Sequence, residues 1–136
     1  MDLQIIQNKI FEIRGCRVML DFHLAELYQV ETRALKQAVK RNLSRFPDDF
    51  AFQLTKDEWQ ELITICDKFP ENIRHTPTSP LAFLEQGVAM LSSVLRSQTA
   101  IDVNISIMRA FVLMRQMSIG YEELLKRIEE LEQSTD

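Results

Sequence analysis

Polar and apolar residues alternate along the first twenty positions of the chain, and this pattern predicts short β-strands. Isoleucine, valine and phenylalanine recur around the polar pairs Gln7-Asn8 and Arg14-Gly15, which are typical of turns. We expect strands over residues 5–6, 10–13 and 17–20. The turn at Arg14-Gly15 makes the last two a β-hairpin.

Helical spacing of the apolar residues begins after position 20. Asp21 is a favoured N-cap residue, and the apolar positions after it predict a short helix over residues 22–28. Residues 29–31 break the pattern before a second helical stretch. We expect this second helix to end near Arg45, because Pro47 disfavours helical geometry in the residue before it.

The middle of the chain predicts one more strand region and further helices. Residues 50–54 alternate like a strand, and Thr55-Lys56-Asp57-Glu58 has the form of a capping box that opens a helix towards Cys66. Residues 67–80 contain three prolines without periodicity and are expected to form the longest loop. A brief strand over 81–83 then precedes helical spacing that continues to Met117.

Apolar residues in the last third of the chain are spaced alternately by three and four, which is the heptad pattern of a coiled coil. They are Ile107, Ala110, Met114, Met117, Tyr121, Leu124, Ile128 and Leu131. Gly120 interrupts this stretch at a cost of about 1 kcal/mol relative to alanine, so one bent helix and two consecutive helices both remain open.

The expected fold class is therefore α+β. An N-terminal β-hairpin and short strands accompany a helix-turn-helix, and a helical C-terminal half follows, ending in a coiled-coil-like tail. We divide the chain into a domain over residues 1–118 and a tail over residues 119–136. The tail either pairs with a second copy of the chain, giving a homodimer, or folds back onto its own domain.

Composition and charge narrow the function classes. No run of about 18 uncharged apolar residues occurs, and the N-terminus lacks a signal-peptide pattern, so we expect a cytoplasmic protein without a membrane partner. The net charge of -4 hides a strong segregation of charges. Residues 31–45 hold five basic side chains and one acidic one, whereas residues 121–136 hold six acidic side chains and two basic ones. A basic segment is a candidate for binding nucleic acid.

The two predicted helices at residues 22–45 have the composition of a DNA-binding helix-turn-helix. Ala25 supplies a small residue between the helices, and Gln29 stands where a left-handed glycine is common, at a cost of about 1 kcal/mol. Recognition helices enter the major groove by their N-terminal part. We therefore expect Thr32, Arg33, Lys36 and Gln37 near the base edges and Lys40, Arg41 and Arg45 near phosphates. The alternative is a solvated helix face, since basic residues are common on helix surfaces.

Six ordered motifs of the chain resemble one protein family. They occupy residues 13–21, 24–32, 35–42, 45–50, 82–97 and 103–111, and the fifth begins with Ala-Phe-x-Glu-Gln-Gly. In these motifs the chain resembles the "open reading frame six, N-terminal" domain, which is related to KilA-N. The resemblance implies double-stranded DNA binding by a regulatory protein of phages or prophages, an antirepressor or a transcriptional regulator. Members often carry a glycine-rich, basic stretch before the fifth motif, whereas this chain has only Arg74 and His75 between Phe69 and Pro80.

Other chemistry finds little support in the sequence. Cys16 and Cys66 stand outside any Cys-x-x-Cys spacing, and His23 and His75 lie far apart, so we expect no metal site. No phosphate-binding glycine loop and no nucleophile with a supporting base occur, so we expect no cofactor, no small-molecule substrate and no enzymatic activity. The rival function is a protein-interaction or oligomerisation module in which the basic helix makes no direct contact with DNA.

Overall fold

Seven α-helices and four β-strands make up the computed structural model, which describes residues 1–66 and 68–134. In chain order they are α1 (Leu3–Gln7), β1 (Ile10–Ile13), β2 (Cys16–Leu20), α2 (Asp21–Tyr28), α3 (Thr32–Lys40), β3 (Ala51–Gln53), α4 (Lys56–Ile65), α5 (Glu71–Arg74), β4 (Leu81–Phe83), α6 (Glu85–Leu95) and α7 (Gln98–Ser134). A 3₁₀ turn, Leu43–Arg45, follows α3. This arrangement confirms the predicted α+β class.

The four strands form one antiparallel sheet in the order β1-β2-β4-β3. The β1-β2 hairpin turns at Arg14 and Gly15, which both have positive φ angles, of 56° and 74°. Two-residue turns of this kind match the right-handed twist of the strands they join. Met19 pairs with Phe83, and Phe83 pairs with Ala51, so the hairpin continues into the rest of the sheet.

Helices cover both faces of the sheet. Successive strand residues point to opposite faces, so Met19 and Phe83 join one buried cluster while Leu20 and Ala82 join the other. The first cluster is completed by α1, α2, α3, α6 and α7. The second cluster is completed by α4 and Phe69. The helix pair α2-α3 and helix α4 therefore lie on opposite sides of the sheet.

The predicted strand over residues 5–6 is wrong, because these residues lie in α1. The side chain of Asp2 caps this helix by accepting a hydrogen bond from the Gln4 amide at 2.9 Å. Ile6 is fully buried in the first cluster, and α1 packs against α7. Two adjacent isoleucines do not distinguish a strand from a short helix, and packing against α7 selects the helix.

The second predicted helix ends earlier than expected, at Lys40 instead of near Arg45. The Asn42 amide group donates to the Ala38 carbonyl at 2.8 Å, and the Asn42 backbone N–H bonds to the Val39 carbonyl at 3.0 Å. Asparagine side chains compete with the backbone for its hydrogen bonds and so favour helix ends. Arg45 consequently lies in the 3₁₀ turn and not on α3.

Most of the later elements agree with the sequence. The capping box forms at the start of α4: the Thr55 hydroxyl accepts from the Glu58 amide, and the Glu58 carboxylate accepts from the Thr55 amide. β3 is shorter than the strand predicted over 50–54, and β4 is found where it was expected. The predicted loop over 67–80 contains the one-turn helix α5, and its first residue, Asp67, lies outside the described residues.

Helix α7 is a single helix of 37 residues, so the stretch around Gly120 forms one helix and not two consecutive helices. Its last fully buried residue is Phe111, and half-buried Ser118 accepts a hydrogen bond from Arg17. Every residue from 119 to 134 is exposed. The helix thus runs across the proposed boundary between residues 118 and 119, and the division into domain and tail stays a prediction. Thr135 and Asp136, the end of that tail, lie outside the described residues.

Candidate nucleic-acid interface

A three-residue connection, residues 29–31, joins α2 to α3. Gln29 ends α2 in the left-handed conformation, with φ 61° and ψ 41°, as the sequence predicted. The backbone N–H of Val30 then donates to the Ala25 carbonyl at 3.0 Å, and the backbone N–H of Gln29 donates to the Glu26 carbonyl at 3.2 Å. These bonds satisfy carbonyls at the end of α2 and close the turn in the pattern of a Schellman motif.

The inner faces of the two helices are buried against the same core. Leu24, Ala25 and Tyr28 of α2 are buried, as are Leu35 and Val39 of α3. The Tyr28 hydroxyl donates to the side-chain oxygen of Asn104 on α7, and the Asn104 amide group donates to the Val88 carbonyl of α6 at 2.8 Å. The orientation of α2 is therefore fixed by polar bonds as well as by packing.

The outer face of α3 carries five of the seven sequence-predicted site residues. Arg33, Gln37 and Lys40 are exposed, and Thr32 and Lys36 are half-buried. All five line one shallow depression of the surface. No acidic side chain lines this depression, so the exposed face of α3 is basic.

Lys36 has a partner that the sequence did not indicate. Its Nζ lies 3.5 Å from Oδ2 of Asp21, a carboxylate that is 1% exposed. The same carboxylate accepts bonds from the Phe22 amide at 2.7 Å and from the Leu81 amide at 3.0 Å. Asp21 therefore links the start of α2, the start of β4 and the middle of α3.

Asp21 is buried, and its pKa lies above the usual value for an aspartate. Burial raises the pKa of this carboxyl, whereas the Leu81 amide, Lys36 and the Phe22 amide favour the charged form. The ammonium group of Lys36 therefore already interacts with a carboxylate inside the protein. A charged group that already has a buried partner contributes less to binding an external anion than an unpaired one does.

The two remaining predicted residues lie beyond the C-terminal end of α3. Arg41 is exposed next to the helix end, and Arg45 extends from the 3₁₀ turn towards α6, where its Nη1 donates to the Ser93 hydroxyl at 3.1 Å. The contact between Arg45 and α6 was not foreseen, because sequence spacing gives no information on which later helix packs beside α3. The structure thus brings five predicted residues into one depression and places these two at its end.

The loop before β4 adds little positive charge to this side of the molecule. His75 lies 3.0 Å from the Glu71 carboxylate, one helical turn before it in the chain. Arg74 is half-buried. Thr76, Pro77 and Thr78 then border a groove beside Thr32 and Lys36.

His23, near the start of α2, lies in a cluster of aromatic rings. Its ring stacks between Phe11 and Phe69, at centroid distances of 5.9 and 5.8 Å, and lies 4.4 Å from the Phe22 ring. Burial, helped by the charge of Lys9, lowers the pKa of His23 to about 4. Its buried Nδ1 has no hydrogen-bond partner among the described residues. These features make His23 a half-buried residue that is neutral at pH 7.

The comparison with known families identifies the chain. A family model, the ORF6N domain, matches residues 8–94, more than half of the chain. The chain belongs to the ORF6N domain family. The ORF6N match includes all of α2 and α3 and ends inside α6, and α7 lies outside it. The family is associated with phages, which indicates a regulatory or DNA-related role.

Other comparisons add no relative to the ORF6N assignment. No curated protein and no solved structure matches the chain. In residues 1–66 and 68–134, no group of three histidine, cysteine or carboxylate residues is arranged to hold a metal ion. Over the same residues, no helix combines the length and the apolar character needed to cross a bilayer.

Proposed function

We propose that this ORF6N protein binds double-stranded DNA through the outer face of α3, as a phage-type regulator of transcription or an antirepressor. The observation that carries the proposal is the shared basic depression of Thr32, Arg33, Lys36, Gln37 and Lys40 on a helix held by a tight two-helix unit. In this proposal the protein acts by binding DNA and has no enzymatic activity.

The dimensions of α3 suit the major groove. An α-helix with its side chains is about 10 to 12 Å across and the major groove is about 12 Å wide, so the nine-residue α3 can lie in the groove. Its N-terminal half would face the base edges. Arg33 can bind guanine through two hydrogen bonds, and Gln37 can do the same with adenine. Lys40, Arg41 and Arg45 would then lie at the phosphates on the groove wall.

The pair between Lys36 and Asp21 changes the expected salt dependence. If all five cations each neutralised one phosphate, the logarithmic salt slope would be about -4.5, at about 0.9 per neutralised phosphate. With Lys36 held by Asp21, four contacts give about -3.6. A slope near the smaller value would support the structural role of Lys36 within the proposed interface.

The test is duplex binding measured by fluorescence anisotropy at two salt concentrations. Arg33→Ala with Gln37→Ala should weaken binding and reduce discrimination between sequences, because both side chains are exposed and neither bonds to any residue in 1–66 or 68–134. Lys56→Ala is the matched control, since Lys56 is an exposed cation on α4 at the opposite face of the sheet. Binding by the double variant that equals the parent's would reject α3 as the reading helix.

We further propose that two copies of the chain pair through the C-terminal part of α7. In the heptad, Ile128 falls at an a position, and Leu124 and Leu131 fall at d positions. A β-branched residue at a with leucine at d favours a parallel two-stranded coiled coil. The exposed fractions are 55% for Leu124, 43% for Ile128 and 67% for Leu131 in the single chain. Pairing would cover this seam and present two α3 helices to two half-sites.

Light scattering tests the pairing. The parent should have twice the chain mass of 15.9 kDa, and Leu124→Ser with Ile128→Ser should have the single mass. Glu123→Ser with Glu130→Ser is the matched control, because both lie at c positions on the outer side of the same coil. Equal masses for the parent and for a chain lacking residues 121–136 would reject tail-driven pairing.

The exposed seam on α7 also favours a second candidate function, a protein-interaction module. In that case α7 binds a different protein, and the basic face of α3 contacts only water. The absence of duplex binding by the intact chain at low salt would favour this candidate over DNA binding.

A further inference from the structure

The C-terminal end of α6 lies beside the basic end of α3. Helices α3 and α6 are in contact, and Arg45, in the 3₁₀ turn after α3, donates to the Ser93 hydroxyl of α6 at 3.1 Å. Ala89 and Ser93 are exposed and lie about one turn apart near the end of α6, and exposed Arg96 directly follows the helix in the left-handed conformation. This end of α6 therefore continues the surface that Arg41 and Arg45 begin.

The Ser93 hydroxyl is oriented to hold Arg45. It donates its own hydrogen to the Met90 carbonyl at 2.7 Å, so its oxygen lone pairs remain available to accept from Arg45. An arginine has five N–H donors, and a single bond to Ser93 leaves several of them for another acceptor. Such a fork suits the oxygens of a phosphate group.

The charge pattern of α6 favours an anion at this place. Between residues 86 and 101 the sequence contains no acidic residue, and Arg96 is the single charged residue. By contrast, the outer side of the tail carries Glu122, Glu123, Glu129 and Glu130. A phosphate that approaches Arg45 would thus meet no carboxylate on the adjoining half of α6.

We infer that Arg45 and Arg96 together contact one strand of the DNA backbone, with Ser93 as the residue that positions Arg45. This inference rests on the proposed function of α3 and adds α6 to its interface. It also supplies a second phosphate contact for a chain in which residues 69–80 carry only Arg74 and His75 as basic residues.

The experiment measures duplex binding against salt concentration for Arg96→Ala, Ser93→Ala and Ser93→Thr. Removing Arg96 should make the logarithmic salt slope shallower by about 0.9 and weaken binding equally for all duplex sequences. Ser93→Ala should weaken binding less, Ser93→Thr should restore it, and Ser93→Ala should have no further effect in an Arg45→Ala background. Lys56→Ala on α4 is again the charge-matched control.

The outcomes separate this inference from the proposal on which it rests. If the parent binds duplex and Arg33→Ala with Gln37→Ala weakens it, while Arg96→Ala leaves the salt slope unchanged, α6 is not part of the interface and only the inference fails. If the parent does not bind duplex at low salt, both fail. Equal melting temperatures of parent and variants exclude misfolding as the cause of any change.

Discussion

The two halves of helix α7 have the same heptad spacing and opposite environments. In the first half, Ile107 is 0% exposed and packs with Ala110 and Phe111 into the cluster under α1, α2 and α6. In the second half, Ile128 is 43% and Leu131 67% exposed. The periodicity of a helix identifies its apolar face, but what covers that face depends on the rest of the fold or on another molecule.

The largest expected difference between the halves is the cost of removing an isoleucine side chain. Ile107→Ala should lower the free energy of unfolding by about 2 to 5 kcal/mol, because a fully buried side chain leaves a cavity. Ile128→Ala should change it by less than about 0.5 kcal/mol at protein concentrations where the chain is single. Urea denaturation followed by fluorescence of Trp59, the single tryptophan, measures both. Similar losses in the two variants would mean that the second half folds back onto the domain.

The next largest expected difference in stability is between alanine substitutions at two glycines, Gly87 in α6 and Gly120 in the second half of α7. A Cβ at Gly87 would lie 2.1 Å from the Phe50 carbonyl oxygen, whereas a Cβ at Gly120 would meet no atom within 4 Å. That carbonyl also accepts from the Leu84 amide at 3.0 Å, so it cannot move away without losing this bond. Gly87→Ala should cost about 3 kcal/mol by overpacking.

Gly120→Ala should instead favour the helix by about 1 kcal/mol, since alanine has the higher helix propensity. Thermal unfolding and helical ellipticity report the two effects. A destabilised Gly120→Ala variant would contradict the open surroundings of that position and would indicate a close neighbour along the second half of α7.

Part of the pH dependence of stability should arise in the domain, at His23. His23 has a folded pKa of about 4 against its usual 6.5, so protonation favours the unfolded chain. Its contribution is fully present above pH 6.5 and is lost as the pH falls towards 4. At pH 5 the loss is about 2 kcal/mol relative to neutral pH.

Denaturation at neutral and mildly acidic pH, with parent and His23→Phe compared, measures this loss. The variant keeps an aromatic ring between Phe11 and Phe69 and should lack this part of the pH dependence. Protonation of Asp21 acts in the opposite direction, because burial raises its pKa, and it is common to both proteins. His75→Ala is the control, and an equal pH dependence in His23→Phe and the parent would assign the effect to other groups.

Much of the candidate site could be predicted from the sequence because its signals are local. The turn at Gln29 and the buried positions Leu35 and Val39 follow from spacing within about ten residues. The ion pair of Lys36 could not be predicted, because its partner Asp21 lies on the preceding helix and bonds to β4, which is sixty residues further along the chain. The hydrogen bond between Arg45 and Ser93 could not be predicted for the same reason, because the two residues are distant in sequence.

The sequence by itself determined the α+β class, the hairpin, the capping box of α4, the basic face of α3 and the heptad spacing of α7. These features depend on propensities and periodicities that act over a few residues. Only the tertiary structure decided that residues 5–6 are helical, that His23 is enclosed by aromatic rings and that Asp21 holds Lys36. Each of these depends on desolvation and packing by segments distant in sequence, which no local pattern encodes.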